Sequence, residues 1–169
     1  ESVGAAIDLC TGSGCLAILL AHAFPNARID ATELSADAFA VAQRNVADYA
    51  LQERIHLVRG DLFAGLKRRY DLIVSNPPYV NAQSMTTLPA EYRAEPQMAL
   101  AAGTDGLDVV RRILAGAPRH LTPDGALFVE VGDSDQRVQQ AFPDLPFTWL
   151  EFEHGGGGVF LLRRGNFKA

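Results

Sequence analysis

The chain has 169 residues, 48% of them hydrophobic and 21% charged, with a formal net charge of −5, which suits one soluble globular domain with its own core. No apolar run approaches the roughly 20 residues of a membrane helix, and no signal peptide stands at the start. The acidic balance argues against tight nonspecific nucleic-acid binding and leaves room for a basic protein partner.

Two cysteines, Cys10 and Cys15, are too few for a disulfide framework and read as small apolar groups in a reducing cytoplasm. The chain opens on Glu1 rather than methionine and enters a strand within a few residues, which suggests a fragment lacking its N-terminal part.

Ala5 to Cys10 reads as the first strand, followed by a turn at Thr11-Gly12-Ser13-Gly14. Leu16, Leu19, Leu20 and Ala23 then recur at helical spacing, and Pro25-Asn26 stops the helix. Arg28 to Thr32 is the second strand, ending at Glu33, and Ser35 is a candidate N-cap. Phe39, Ala42, Val46 and Tyr49 mark one face of the second helix. Ile55 to Val58 is the third strand, followed by Asp61-Leu62-Phe63, and Asp71 to Val74 is the fourth.

The pattern is loop-like from Val80 to Gly106, a length usually functional or mobile. Leu107, Val110, Leu114, Ala117 and Leu121 then give a further helix face. Asp124-Gly125 turns into a fifth strand, Ala126 to Val129, and Ser134 is placed to cap a short helix ending near Phe142-Pro143. Phe147 to Phe152 and Val159 to Leu162 are two strands joined by the run Gly155 to Gly158, too short for a crossover helix. The expected fold is α/β: a doubly wound, mainly parallel sheet with a terminal antiparallel strand. No linker divides residues 1–169.

Three strands put acidic groups at one sheet edge. Asp8 lies in the first, just before the turn Cys10-Thr11-Gly12-Ser13-Gly14, whose glycines let the backbone approach a ligand. Glu33, with Leu34 beside it, follows about twenty residues on, where a carboxylate can take ribose hydroxyls. Asp61 and Leu62 can hold an adenine amino group and one face of its ring. The set suggests an adenosine ligand. Gly12-x-Gly14-x-x-Ala17 also fits the dinucleotide pattern, but a dehydrogenase has no evident use for the turn after the fourth strand. S-adenosyl-L-methionine is therefore expected rather than NAD.

That turn is Asn76-Pro77-Pro78-Tyr79. The prolines end the strand and stiffen the chain where open α/β sheets bind ligands. It offers the Asn76 side-chain oxygen, the Pro77 carbonyl and the Tyr79 ring, which suit a planar group bearing an NH2. The four histidines share no ligand spacing, and none is assigned to a metal.

With these residues in view the chain resembles the class I S-adenosylmethionine-dependent methyltransferases. More narrowly it resembles the HemK/PrmB family of protein-glutamine N5-methyltransferases, over nearly its whole length. The specific stretches are Asp8 to Gly14, Asn76 to Tyr79, Glu95-Pro96 and Gly103 to Leu107. Leu88 to Tyr92, Trp149 to Phe152 and Gly157 to Phe160 look like the branch acting on the third large-subunit ribosomal protein, with the release-factor branch as a rival. Cys10 stands where the wider family has glycine.

The resemblance implies a basic protein substrate of the translation machinery, S-adenosyl-L-homocysteine as product, a cytoplasmic location and an N-terminal helical domain not seen here. Asn76, Pro77 and Tyr79 would be the catalytic residues, and Pro78 and Glu95 would join them in binding substrate. Asn76-Pro77-Pro78-Tyr79 is shared with adenine-N6 methyltransferases, which keeps a nucleic-acid alternative open. No membrane association and no direct nucleic-acid binding are expected.

Overall fold

The computed structural model describes residues 2–78, 105–153 and 156–167. Its elements are β1 (Ala5–Leu9), α1 (Cys15–Ala23), β2 (Arg28–Glu33), α2 (Ala36–Asp48), β3 (Ile55–Arg59), β4 (Tyr70–Ser75), α3 (Asp108–His120), β5 (Leu121–Glu130), α4 (Asp135–Ala141), β6 (Thr148–Trp149) and β7 (Val159–Arg163). Among the described residues, seven strands pair in the order β3-β2-β1-β4-β5-β7-β6. The first five strands are parallel, and β7 runs antiparallel to both β5 and β6, as the glycine run requires. This is the expected doubly wound sheet. Among the described residues no helix is long and apolar enough to cross a membrane.

Alternation along β1 explains the two cores. Ile7 and Leu9 face a cluster with Val110, Ile113 and Leu114 of α3 and Val138 of α4. Ala6 faces the other side, with Ala17, Ile18 and Ala21 of α1 and Val46 of α2. A fully buried side chain such as Ile7 contributes about 1.5–3 kcal/mol.

The buried face of α1 is not the one its leucines suggested. Leu16 and Leu19 are exposed, while Ala17, Ile18 and Ala21 are buried. That face packs into the second core against Ile29 and Ala31 of β2 and Val46 of α2. The carboxyl end of α1 is held from a distance. Arg54 donates to the carbonyls of Ala21 (2.8 Å), Phe24 (2.7 Å) and Ala27 (3.1 Å), partners for acceptors that a helix end leaves free.

Several boundaries differ from expectation. Tyr49 caps α2 and is largely exposed. β5 starts at Leu121, and Asp124-Gly125 lies inside it, in an irregularity between the pairs Tyr70–Leu121 and Leu72–Ala126. Ser134 precedes α4 without capping it, and its hydroxyl accepts from Arg137 instead. β6 keeps only Thr148 and Trp149 of the expected run.

At the amino ends of the strands, fully buried Tyr70 donates to Asp30 Oδ2 at 2.6 Å. His56 Nδ1 lies 3.1 Å from the other oxygen of Asp30. The β7 end of the hairpin closes on the backbone: Val131 N–H donates to the Gly158 carbonyl at 2.7 Å. A Cβ on Gly158, at φ 69°, would collide with the Gly132 carbonyl.

Candidate functional site

The carboxyl ends of β1, β2, β3 and β4 lie level across the sheet. Leu9 pairs with Thr32 and with Ser75, and Thr32 pairs with Val58. β1 and β4 are also where the strand order reverses, the crevice in which open α/β sheets take ligands.

The loop after β1 turns back on itself through left-handed residues at Cys10 (φ 59°), Gly12 (φ 57°) and Gly14 (φ 83°). Cys10 thus adopts the bend that glycine would take freely, at a cost of about 1 kcal/mol for a side-chain-bearing residue. Several bonds hold that bend. Thr11 N–H donates to the Thr32 carbonyl at 3.0 Å, and Asn45 Nδ2 donates to the Ser13 carbonyl at 2.8 Å. Gly12 N–H donates to Glu33 Oε2 at 2.9 Å. Apart from its chain neighbours, no atom of the described residues lies within 4 Å of a Cβ built on Gly12, so this backbone faces open space among them.

Asp8 lies beneath the loop, fully buried. Its Oδ2 accepts from the Thr11 hydroxyl and from Ala17 N–H (3.1 Å), while Oδ1 has no partner among the described residues. Burial pushes the Asp8 carboxyl up to about 7, against the Thr11 and Ala17 hydrogen bonds, and the Glu33 charge adds a smaller push upward. Burial, with help from Glu33 and Asp8, also pushes the Cys10 thiol up to about 12, so it is protonated at neutral pH. Cys10 is half-buried, but Cys15 is exposed and not packed as expected.

Glu33 ends β2. Its Oε1 accepts from Ser35 N–H at 2.8 Å, and Ser35 in turn caps α2 through Ala38 N–H at 3.3 Å. Each Glu33 oxygen keeps a lone pair for a further donor. Leu34 beside it is 57% exposed, an apolar side chain at the rim of the site. After β3, Asp61 is half-exposed and Leu62 is buried at φ 50°, a second strained side-chain-bearing residue on this edge.

Asp61 is engaged within the protein. Arg112 of α3 donates to its Oδ2 at 2.7 Å. Fifty-one residues separate the two, so no local pattern signalled the pair.

After β4, Ser75 donates its hydroxyl to the Leu9 carbonyl at 2.8 Å, fixing the start of the Asn-Pro-Pro turn beside the start of the glycine loop. Asn76 is exposed, Pro77 buried and Pro78 half-buried. Tyr79 and Glu95, and residues 79–104 generally, lie outside the described residues. The chain re-enters at Asp105, whose carboxylate accepts from Leu107 N–H (3.1 Å) and in two places from the Arg111 guanidinium. Those Arg111 bonds hold the Asp105 carboxyl down to about 2.

The site therefore brings together Asp8, Cys10 to Gly14, Glu33, Leu34, Asp61, Leu62 and the start of the Asn-Pro-Pro turn. A ring of carboxylates suits hydroxyl and amino donors and a cation. It does not suit a pyrophosphate, whose charge Glu33 and Asp61 would repel.

Over residues 1–93 the chain matches a family model described as the methyltransferase small domain. It is 57% identical over 164 residues to a protein of Neisseria meningitidis named ribosomal protein uL3 glutamine methyltransferase, covering 97% of this chain and 54% of that protein. A protein of the same name from Bradyrhizobium diazoefficiens is 59% identical over 155 residues, covering 91% of this chain and 49% of that protein. The chain spans about half the length of the curated relatives it matches. A solved methyltransferase from Pyrococcus furiosus is similar with a TM-score of 0.69 at 20% identity, over 97% of this chain and 76% of that one, a likeness of fold alone.

Proposed function

The chain belongs to the methyltransferase small domain family, and from that premise we propose that it performs S-adenosyl-L-methionine-dependent N5-methylation of a glutamine side chain in ribosomal protein uL3. Residues 1–169 form the cofactor-binding catalytic domain of this reading. The names of its relatives support the substrate, and the net charge of −5 suits a basic partner in the cytoplasm.

The residues present fit the cofactor. Glu33 has lone pairs for the ribose hydroxyls. Asp61 has an oxygen for the adenine amino group, with Leu34 and Leu62 as apolar walls. The Gly12 backbone faces open space among the described residues, which leaves room for a ligand over the loop. When bound, S-adenosyl-L-methionine supplies a methyl group on a sulfonium and leaves as S-adenosyl-L-homocysteine.

The chain's own task is to present a poor nucleophile. An amide nitrogen shares its lone pair with its carbonyl. The Asn76 side-chain oxygen and the Pro77 carbonyl accept the two N–H bonds of the substrate amide and hold its nitrogen toward the cofactor site. Tyr79 stacks on the amide plane, with Pro78 stiffening the turn and Glu95 shaping the mouth. Positioning supplies most of the rate, since effective molarities can reach about 10^5 M or more. No general base is required if the proton leaves after transfer, when the nitrogen is acidic.

The observation that carries this reading is the Ser75 hydroxyl on the Leu9 carbonyl at 2.8 Å, which couples the amide-binding turn to the cofactor loop. The test is Asn76→Ala in the intact protein, assayed on uL3. Turnover should fall about 10^2-fold, the effect of losing one preorganised polar group, with cofactor affinity changing less. Equal turnover would reduce the turn to a structural element. Transfer to adenine in DNA, with none to glutamine, would assign the turn to a nucleic-acid substrate.

A further inference from the structure

One face of α3 carries Arg112, Gly116 and His120, four residues apart and so stacked one turn above the next. All three touch the loop that follows β3. Arg112 holds Asp61 by one oxygen, Oδ2, and Asp61 Oδ1 makes no hydrogen bond among the described residues. Gly116 is where the loop lies flat on the helix: a Cβ there would sit 2.5 Å from Phe63 Cδ2. His120 stacks on the Phe63 ring, with centroids 4.3 Å apart and planes 10° from parallel. Its Nδ1 lies 3.1 Å from the Gly116 carbonyl and its Nε2 lies 3.4 Å from the Leu66 carbonyl.

Three points of the loop, Asp61, Phe63 and Leu66, are thus pinned by three successive turns of one helix. Between the first two sits Leu62 in its left-handed conformation, which persists only where its surroundings over-determine it. Stability does not account for the arrangement. Arg112 and Asp61 are each about half-exposed, and ion pairs of that kind contribute little to folding. Arg112 does, however, tie one oxygen of the Asp61 carboxylate to the helix and leave the other without a hydrogen bond among the described residues.

We propose that the Arg112–Gly116–His120 stripe is a positioning device that sets purine selectivity at the cofactor site. Arg112 turns Asp61 so that Oδ1 accepts from a 6-amino purine, and Gly116 and His120 seat Phe63 so that Asp61 and Leu62 keep that pose. A 6-oxo purine would set its carbonyl oxygen against the carboxylate and is rejected. The inference rests on the reading of Asp61 as the adenine acceptor. Arg112 touches neither cofactor nor substrate and acts through Asp61.

The test is calorimetric titration of the intact protein with S-adenosylhomocysteine and with S-inosylhomocysteine, which differ at the 6-position of the base. The parent should prefer the adenosyl compound by about tenfold or more, as a site built to pair a donor rejects an analogue lacking it. Arg112→Met should lose about tenfold for the adenosyl compound and less than about twofold for the inosyl one. Arg112→Lys should recover part of the preference. Gly116→Ala, which displaces Phe63, should erase the preference independently. A merely structural role would weaken both compounds together, so an unchanged affinity ratio in Arg112→Met and Gly116→Ala would overturn the proposal. A parent that binds both compounds equally would overturn the Asp61 assignment and the proposal with it. A parent that binds neither would overturn the cofactor reading itself.

Discussion

Asp8→Asn isolates the cost of burying a carboxyl group under the glycine loop. Asp8 is fully buried, and its Oδ1 has no partner among the described residues. In the unfolded chain this group ionises near 3.8, whereas in the fold it keeps its proton to about 7. The folded chain therefore binds more protons between those values, and its stability falls as pH rises through them. The full loss is about 4 kcal/mol, of which about 2 kcal/mol falls between pH 5 and pH 7. Asn keeps an oxygen for the Thr11 hydroxyl and Ala17 N–H but has no charge to bury. The free-energy difference between Asp8→Asn and the parent should thus shift in favour of Asn by about 2 kcal/mol from pH 5 to pH 7, then level off. Asp105, held near 2 by Arg111, changes stability with the opposite sign and only in more acid solution, so it leaves this window flat. Urea unfolding of both proteins at pH 5, 6, 7 and 8 measures the difference directly. A difference independent of pH would refute the argument that Asp8 is protonated through most of that range.

Glu33→Ala removes the acceptor of Gly12 N–H and Ser35 N–H along with the proposed ribose acceptor. S-adenosylhomocysteine affinity should weaken by about 1–3 kcal/mol by calorimetry, and unchanged affinity would exclude the ribose assignment. Tyr70→Phe leaves buried Asp30 without its 2.6 Å donor and should lower stability by about 1–3 kcal/mol in thermal melts. Because Tyr70 lies at the opposite end of the strands, cofactor affinity should not move, and a parallel loss of binding would contradict the separation of the two edges. Gly158→Ala drives a methyl group into the Gly132 carbonyl at a positive φ and should cost about 3 kcal/mol in urea unfolding. A loss under about 1 kcal/mol would mean that the hairpin can move off this contact.

What the sequence disclosed was mostly local. Asp8, Glu33 and Asp61 each sit at or just past an apolar strand, so their shared edge followed once the strands were taken as parallel. The run Gly155 to Gly158 announced an antiparallel end because four residues cannot hold a crossover. The buried face of α1 was illegible for a physical reason. Leu16, Ala17, Ile18, Leu19 and Leu20 are apolar all round, so periodicity had nothing to separate, and packing on β2 and α2 chose the side that carries Ala17, Ile18 and Ala21. β5 was cut short because Asp124-Gly125 has turn chemistry. In the fold Gly125 instead marks a close approach, where a Cβ would lie 2.8 Å from the Tyr70 carbonyl. Arg54 on the end of α1 and Arg112 on Asp61 were invisible because their partners are distant in the chain. The roles of Tyr79 and Glu95 stand on the sequence alone.

The contrast between the two cysteines makes the protein its own reporter. Cys10 holds its proton to about 12 and is partly covered, while Cys15 is exposed at the first residue of α1, one position beyond Gly14. With two cysteines in the chain, a thiol-reactive dye at neutral pH is directed to Cys15 without any engineered residue. That dye would sit on the rim of the glycine loop, so its emission could follow ligand arrival in real time.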